Sequence, residues 1–220
     1  MTDPSLDFAS LLCSRLCHDL LSPVGAINNG LELLADENDP GLRRQYMDLL
    51  AESARASADK LKYFRLAFGA AGGFGDRIQS SEARIALESL VKGNSRIAFG
   101  WMVDDEDLSR GATRILLNLG LIALDALIRG GRLDVCLEAD EIVIRAEGPR
   151  LVLDAEVKAM LGGADIAPTS RTIGAALARR LARIDGRTLM LNQEDGLLLL
   201  GASRRQADPA RAQRIGHAPA

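Results

Sequence analysis

Apolar positions in the first part of the chain recur with a helical period. Between residues 6 and 34 the steps are three and four, on a stripe made of Leu12, Leu16, Leu20, Val24, Ile27, Leu31 and Leu34. Such spacing places these side chains on one side of a helix. Turn-forming residues, DENDPG, follow at 36–41, and a second helical pattern covers 42–68. Two long helices with a short connection predict a helical hairpin.

This hairpin carries more apolar surface than two helices can bury against each other. Leu11 and Leu21 lie beside the main stripe of the first helix. Pairing of two copies into a four-helix bundle would cover both faces, so we predict a homodimer. The alternative is that the hairpin packs on the C-terminal half of its own chain.

A glycine-rich stretch, FGAAGGFGD at 68–76, predicts a boundary between two domains. Beyond it, helical patterns alternate with strand patterns. Helices are predicted over 80–93, 109–131, 153–163 and 171–186, and strands over 95–105, over 132–148 as a pair that turns at 139–141, and over 187–203 as a hairpin that turns at Asp195 and Gly196. The pattern predicts an α+β fold with helices on one face of a mixed sheet.

The predicted organisation therefore has three parts. Residues 1–70 form the helical hairpin, 77–203 form an α/β sandwich, and 204–220 are a disordered tail rich in Arg, Ala and Pro.

Composition narrows the function. The formal net charge is −3 and aromatic residues are 4% of the chain, which argues against a nucleic-acid-binding surface. The N-terminus lacks the pattern of a secretion signal, and no run reaches the roughly 18 apolar residues that span a membrane. Three cysteines do not suggest a disulfide framework. We expect a cytoplasmic protein that binds neither nucleic acid nor membrane.

His18 is the candidate for chemistry. It lies two residues from both Leu16 and Leu20, so the helical wheel turns it away from the apolar stripe toward solvent. A neutral imidazole nitrogen is a competent phosphoryl acceptor, and the adjacent Asp19 can orient the ring. Pro23 removes the backbone donor to the carbonyl of residue 19 and predicts a bend just past the histidine.

The surroundings of His18 suggest a docking surface for another protein. Its neighbours three, four and seven residues away are mostly small. The predicted catalytic residues are His18 and Asp19, and the predicted partner-binding residues are Ser14, Arg15, Ser22, Pro23 and Gly25. The plainer alternative is an ordinary surface histidine, but a proline within the same helix is uncommon.

Metal binding is a further alternative for this stretch. Cys13 and Cys17 share a helix face, but His18 points about 100° away from Cys17. Three such groups make a poor tetrahedral set, so we predict no metal site.

These residues resemble a known motif. HDLLSPV at 18–24 is similar to the phosphoacceptor motif of sensor histidine kinases, which has a histidine, an acidic residue, two variable positions, a small polar residue, a proline and an aliphatic residue. The helical hairpin resembles the dimerisation domain that carries this motif. The C-terminal half resembles the kinase ATPase domain.

The nucleotide-binding motifs of that ATPase domain are incomplete here. The helix that reads Asn-Leu-x-x-Asn-Ala in the kinases keeps Asn118 but has Ile122 at the second asparagine, and an aliphatic side chain cannot hold magnesium. Ala146 replaces the aspartate of the Asp-x-Gly-x-Gly motif, and Arg150 replaces its second glycine. The glycine-rich phosphate loop keeps only Gly174.

Over residues 8–203 the pattern resembles the alphaproteobacterial ChpT family of histidine phosphotransferases. This resemblance implies a homodimer without a cofactor or bound ATP. It also implies a relay in which His18 takes a phosphoryl group from the receiver domain of a hybrid histidine kinase and gives it to response regulators of the cell cycle. Magnesium would sit on the receiver. Two alternatives remain, an active histidine kinase with a divergent ATP site and a pseudo-kinase scaffold that docks response regulators without phosphate transfer.

Overall fold

Two long helices open the chain and pack against each other as a hairpin. In the computed structural model, which describes residues 3–69, 75–138 and 140–204, α1 spans Pro4–Asp36 and α2 spans Pro40–Phe68. Each helix begins with a proline that directly follows an aspartate, Asp3 or Asp39. The carboxylate of this aspartate accepts hydrogen bonds from backbone N–H groups of the first turn. α2 ends before Gly69, whose φ of 68° is the left-handed conformation that commonly stops a helix.

The second half of the chain is a layer of helices over one sheet. Its elements are β1 (Arg77–Gln79), α3 (Ser80–Lys92), β2 (Ile97–Val103), β3 (Asp107–Ser109), α4 (Arg110–Ala126), β4 (Gly131–Glu138), β5 (Glu141–Glu147), α5 (Ala155–Leu161), α6 (Ile173–Ile184), β6 (Arg187–Glu194) and β7 (Leu197–Arg204). The sheet has the order β2-β4-β5-β7-β6, with β2 parallel to β4 and the other pairs antiparallel. The predicted α+β fold with a mixed sheet is confirmed.

The core lies between α4 and the sheet, and the hairpin adds to it. Ile142 and Ile144 of β5 are fully buried beneath α4. From α2, Tyr63 and Phe64 enter the same core, and the hydroxyl of Tyr63 donates a hydrogen bond to the carbonyl of Leu117. From α1, Phe8, Leu12 and Leu16 pack against it. Part of the hairpin surface is therefore buried within its own chain.

Helix α4 is shorter than the predicted helix, which extended over 109–131. It ends at Ala126, whose carbonyl accepts from the N–H of Val152. Gly130 and Gly131 have φ angles of 82° and 139°. These are conformations that residues with a side chain rarely adopt, so the two glycines turn the chain into β4 and do not extend the helix.

Two further differences concern short segments. β1 and β3 pair as a separate two-stranded ribbon that we did not predict, because three residues are too few to show a period. The predicted disordered tail at 204–220 is wrong at Arg204, which is the last residue of β7, and the rest of it lies outside the described residues. Most of the predicted domain boundary also lies outside them, so the three-part division of the chain stays a prediction.

Candidate functional site

His18 lies on the solvent side of α1, as the helical wheel predicts. Its side chain is 81% exposed, and its Nδ1 atom is 3.1 Å from Oδ1 of Asp19. An ionised carboxylate can only accept a hydrogen bond, so the ring nitrogen that faces it carries the proton. This leaves the lone pair on Nε2, which points away from Asp19.

Asp19 is itself held by a second residue of the same helix. Its other oxygen, Oδ2, is 2.7 Å from Nε of Arg15, and only 15% of its side chain is exposed. Nη2 of Arg15 is 3.0 Å from Oδ2 of Asp125 on α4. A continuous chain of charged contacts, Asp125–Arg15–Asp19–His18, therefore connects the C-terminal half of the molecule to the exposed imidazole.

The two carboxylates that contact Arg15 favour its charged form. Burial acts to lower the pKa of Arg15, but the hydrogen bonds and charges of Asp19 and Asp125 outweigh it and raise that pKa. Desolvation by neighbouring atoms raises the pKa of Asp125, although 54% of its side chain is accessible, and the Arg15 guanidinium opposes the rise. Arg15 thus stays charged between two carboxylates, and its position determines that of Asp19.

Pro23 leaves one backbone oxygen of α1 without its helical partner. In an α-helix the carbonyl of residue 19 accepts from the N–H of residue 23, and proline has no N–H. The ammonium nitrogen of Lys60, on α2, lies 2.7 Å from that carbonyl oxygen and supplies the missing donor. α1 continues through Pro23 as a single helix.

The predicted partner-binding residues divide into two groups. Ser14, Ser22 and Gly25 are exposed, and no atom lies within 4 Å of where a side chain on Gly25 would begin. Pro23 is buried, and the guanidinium of Arg15 is taken up by Asp19 and Asp125. The first group forms a free surface beside His18, whereas the second shapes the helix beneath it.

Metal binding, the alternative considered for the stretch with the two cysteines, is not supported by the geometry. Cys13 and Cys17 are both exposed free thiols. Over residues 3–69, 75–138 and 140–204, no group of three or more His, Cys, Asp and Glu side chains is placed to hold a metal ion. In the same residues, no helix has the length and apolar character needed to cross a bilayer.

Three of the five positions at which the sequence was compared with kinase nucleotide motifs line one cleft. Asn118, Ile122 and Gly174 face a cavity of about 290 Å³ bounded by α1, α4, α5 and α6. Ala146 is instead fully buried in the sheet, and Arg150 is exposed at the surface. Three of the motif positions compared in the sequence therefore meet at one cleft, and the other two do not line it.

The sequence analysis missed two residues of the site. Asp125 could have been found, since it is the one charged residue in the apolar stretch 115–128. Lys60 offers none, because its contact at Asp19 is 41 residues away along the chain.

Comparison with known proteins adds independent findings. Residues 80–196 match the family model described as the histidine phosphotransferase C-terminal domain. The protein phosphotransferase ChpT of Brucella abortus (strain 2308) is 41% identical over 141 residues, which are 64% of this chain and 66% of that protein. The matched stretch is thus just under two thirds of the relative's length.

One solved structure shows the same likeness over a longer stretch. A bacterial phosphotransferase solved at 1.7 Å superposes with a TM-score of 0.80 and 32% identity, over 92% of this chain and 98% of the other. The histidine kinase domain of a blue-light activated histidine kinase from Erythrobacter litoralis gives a TM-score of 0.45 and 8% identity, over 82% of this chain and 92% of the other.

Proposed function

This chain belongs to the histidine phosphotransferase family, and we propose that it carries phosphoryl groups between receiver-domain aspartates through His18, without using ATP. The observation that carries the proposal is the exposed imidazole of His18, whose Nδ1 faces a carboxylate that is itself held in place by Arg15. An exposed Nε2 lone pair on a ring of set orientation is what an incoming phosphoryl group requires.

The proposed reaction is an in-line phosphoryl transfer. The lone pair on Nε2 of His18 attacks the phosphorus of an aspartyl phosphate on the receiver. A nitrogen–phosphorus bond forms, the phosphorus–oxygen bond to the aspartate breaks, and the aspartate leaves as a carboxylate. The ring keeps its Nδ1 proton, so its positive charge faces Asp19. Transfer to the aspartate of a second receiver reverses these steps.

The side chains that line the cleft favour a phosphate donor other than ATP. Ile122 places an aliphatic side chain where the kinases have a magnesium-ligating asparagine. The two arginines at the rim are already neutralised, Arg15 by Asp125 at 3.0 Å and Arg171 by Asp154 at 3.3 Å. A triphosphate would therefore meet a single asparagine oxygen and paired cations. Magnesium for the transfer would come with the receiver.

The exposed surface around His18 is the proposed receiver-docking site. Ser14, Ser22 and Gly25 leave space around the imidazole, so that a receiver can bring its aspartate close. Arg15 and Pro23 contribute to docking indirectly, because one orients Asp19 and the other creates the contact between α1 and Lys60.

The remaining apolar surface of the hairpin supports a homodimer. Leu21, Val24 and Leu31 form an exposed stripe on α1, with Leu21 as much as 69% exposed. Leu42 and Leu49 are exposed on α2. Pairing of two hairpins as a four-helix bundle would remove these side chains from water.

From the family resemblance we also propose a role for this protein in the cell. A cytoplasmic phosphorelay would bring phosphate from a hybrid histidine kinase to response regulators of the cell cycle, with this chain as the intermediate.

Radiolabelled phosphate tests the proposal directly. The full chain is incubated with a phosphorylated receiver and magnesium, and in a parallel reaction with ATP and magnesium alone. We expect acid-labile, alkali-stable label from the receiver only. His18→Ala should lose it, whereas His217→Ala, at the second histidine of the chain, should keep it.

Each contrary outcome supports a different alternative. Label from ATP alone would show an active histidine kinase. Receiver binding that is unchanged in His18→Ala, with no label in the native chain from any phosphorylated receiver tried, would show a scaffold.

A further inference from the structure

The cleft between α1, α4, α5 and α6 contains a buried polar atom that the fold itself does not satisfy. Asn118 is 1% exposed, and its Nδ2 group donates to the carbonyls of Ala67 at 2.9 Å and Arg114 at 2.8 Å. These two bonds determine which end of the amide is nitrogen, so Oδ1 faces the other way. Within the described residues, Oδ1 has no hydrogen-bond partner.

Oδ1 of Asn118 is directed toward the open space of the cleft. A side chain on Gly174 would begin 4.0 Å from this oxygen, and both residues line the cavity. A buried acceptor without a donor is unfavourable, so such atoms are usually satisfied by a water or a ligand.

The walls of the cleft are mostly apolar. Side chains from α4, from the loops after α4 and after β5, and from α5 supply them, including Leu121, Ile122, Ile128, Val152 and Val157. At about 290 Å³ the cavity lies at the small end of the range of ligand sites. It suits a single ring system better than an extended chain.

The charged side chains at the rim of the cleft neutralise one another in pairs. Arg15 pairs with Asp125 and Arg171 pairs with Asp154. A charged ligand would have to lose its hydration without gaining an unpaired counter-ion here, and that loss is unfavourable. An uncharged ligand loses much less.

We infer that this cleft is a binding site for a small, uncharged, flat and largely apolar molecule that donates one hydrogen bond to Oδ1 of Asn118. The occupant would lie against Arg15 and Asp125, one ion pair away from Asp19. The inference does not depend on phosphate transfer, because it concerns a cavity and an acceptor that are separate from His18.

Nuclear magnetic resonance of the full-length ¹⁵N-labelled chain tests this inference with defined probes. Indole and benzamide are uncharged rings with an N–H donor, and benzofuran has the shape of indole without the donor. We expect saturable shifts at Ile122, Gly174 and the Asn118 side-chain amide with both donors. Benzofuran should bind about fivefold more weakly than indole, and MgATP no more tightly than indole.

Two matched variants control for location. Gly174→Leu places a side chain in the cleft above Oδ1 and should abolish binding of indole. Gly25→Leu makes the same change at an exposed helical glycine of α1 and should leave indole binding unchanged. Thermal melting of both variants verifies that they fold.

Three outcomes would overturn the inference. The first is an absence of saturable shifts with both donors, which would mean that Oδ1 binds water only. The second is equal affinity for indole and benzofuran, which would remove the role of Asn118. The third is unchanged indole binding in a folded Gly174→Leu variant.

Discussion

The ammonium group of Lys60 lies 2.7 Å from the carbonyl oxygen of Asp19, one residue after the exposed histidine. That oxygen is available because Pro23 cannot supply the N–H that an α-helix would place there. A proline on α1 and a lysine on α2 thus act as a complementary pair. Together they join the two helices at the turn that presents His18, and they do so without interrupting α1.

Replacing Lys60 tests this pairing. Lys60→Met should lower the free energy of unfolding by about 1–2 kcal/mol, because a partly buried carbonyl loses its donor. Pro23→Ala restores a backbone N–H to the same oxygen, so in that background the effect of Lys60→Met should shrink by about 1 kcal/mol. Urea unfolding of the four proteins at one concentration measures the coupling.

Lys62→Met is the matched control, since Lys62 is exposed and makes a surface ion pair of 3.6 Å with Asp59. It should change the unfolding free energy by less than about 0.5 kcal/mol in both backgrounds. An effect of Lys60→Met that is the same in the native chain and in the Pro23→Ala variant would disprove the complementary role of the two residues.

The ion pairs behind His18 should affect the rate of phosphoryl transfer. Asp19→Asn removes the carboxylate that holds the Nδ1 proton, and we expect transfer from a phosphorylated receiver to slow by about 10–100-fold. Asp125→Asn weakens the hold on Arg15 and should slow transfer by a smaller factor, on the order of threefold. Single-turnover kinetics at saturating receiver measure both.

Asp105→Asn, in the loop between β2 and β3, controls for the change of one charge and should transfer at the native rate. The contrary outcome is that Asp19→Asn and Asp125→Asn slow transfer by the same factor, and do so only when the receiver is limiting. The two residues would then act on docking and not on the orientation of the ring.

The exposed stripe on α1 predicts the oligomeric state. Leu21→Glu combined with Leu31→Glu should convert a dimer to a monomer, because both side chains would place a carboxylate in the buried interface of the proposed bundle. Sedimentation equilibrium at micromolar concentration measures the mass. Ile184→Glu, at a 74% exposed position of α6, should remain dimeric. A monomeric native chain would contradict the four-helix bundle.

The buried phenol of Tyr63 should make the free energy of unfolding depend on pH above about 10. Burial raises its pKa well above 10.0, with a further rise from the charge of Asp125. In the unfolded chain the phenol ionises near pH 10, whereas in the folded chain it keeps its proton. Above pH 10 the unfolded state therefore binds fewer protons, and the free energy of unfolding should fall by up to about 1.4 kcal/mol per pH unit from this group.

Urea unfolding between pH 9 and 11 measures that slope. Tyr63→Phe should reduce it, although the variant also loses the hydrogen bond to Leu117. Phe64→Leu destabilises the same core without removing an ionisable group, and it should keep the native slope. An equal slope in Tyr63→Phe and in the native chain would refute the assignment.

Local patterns predicted most of the secondary structure and the exposure of His18. A helical stripe specifies which side of α1 is apolar, and so it also specifies that a residue two positions from Leu16 and from Leu20 faces outward. The same reasoning failed at the end of α4, where Gly130 and Gly131 lead the chain into β4 and do not extend the helix. It also missed β1 and β3, which form only because each pairs with the other.

The contacts that complete the candidate site depend on residues far apart along the chain. Arg15 meets Asp125 across 110 positions, and Lys60 meets Asp19 across 41. Periodicity reports the face on which a side chain lies, but it contains no information about which distant element will pack against that face. The sequence alone determined the hairpin, the mixed sheet and an outward-facing histidine beside an aspartate. Only the packing of α2 and α4 against α1 decided how that aspartate is held and left Oδ1 of Asn118 open to a cleft.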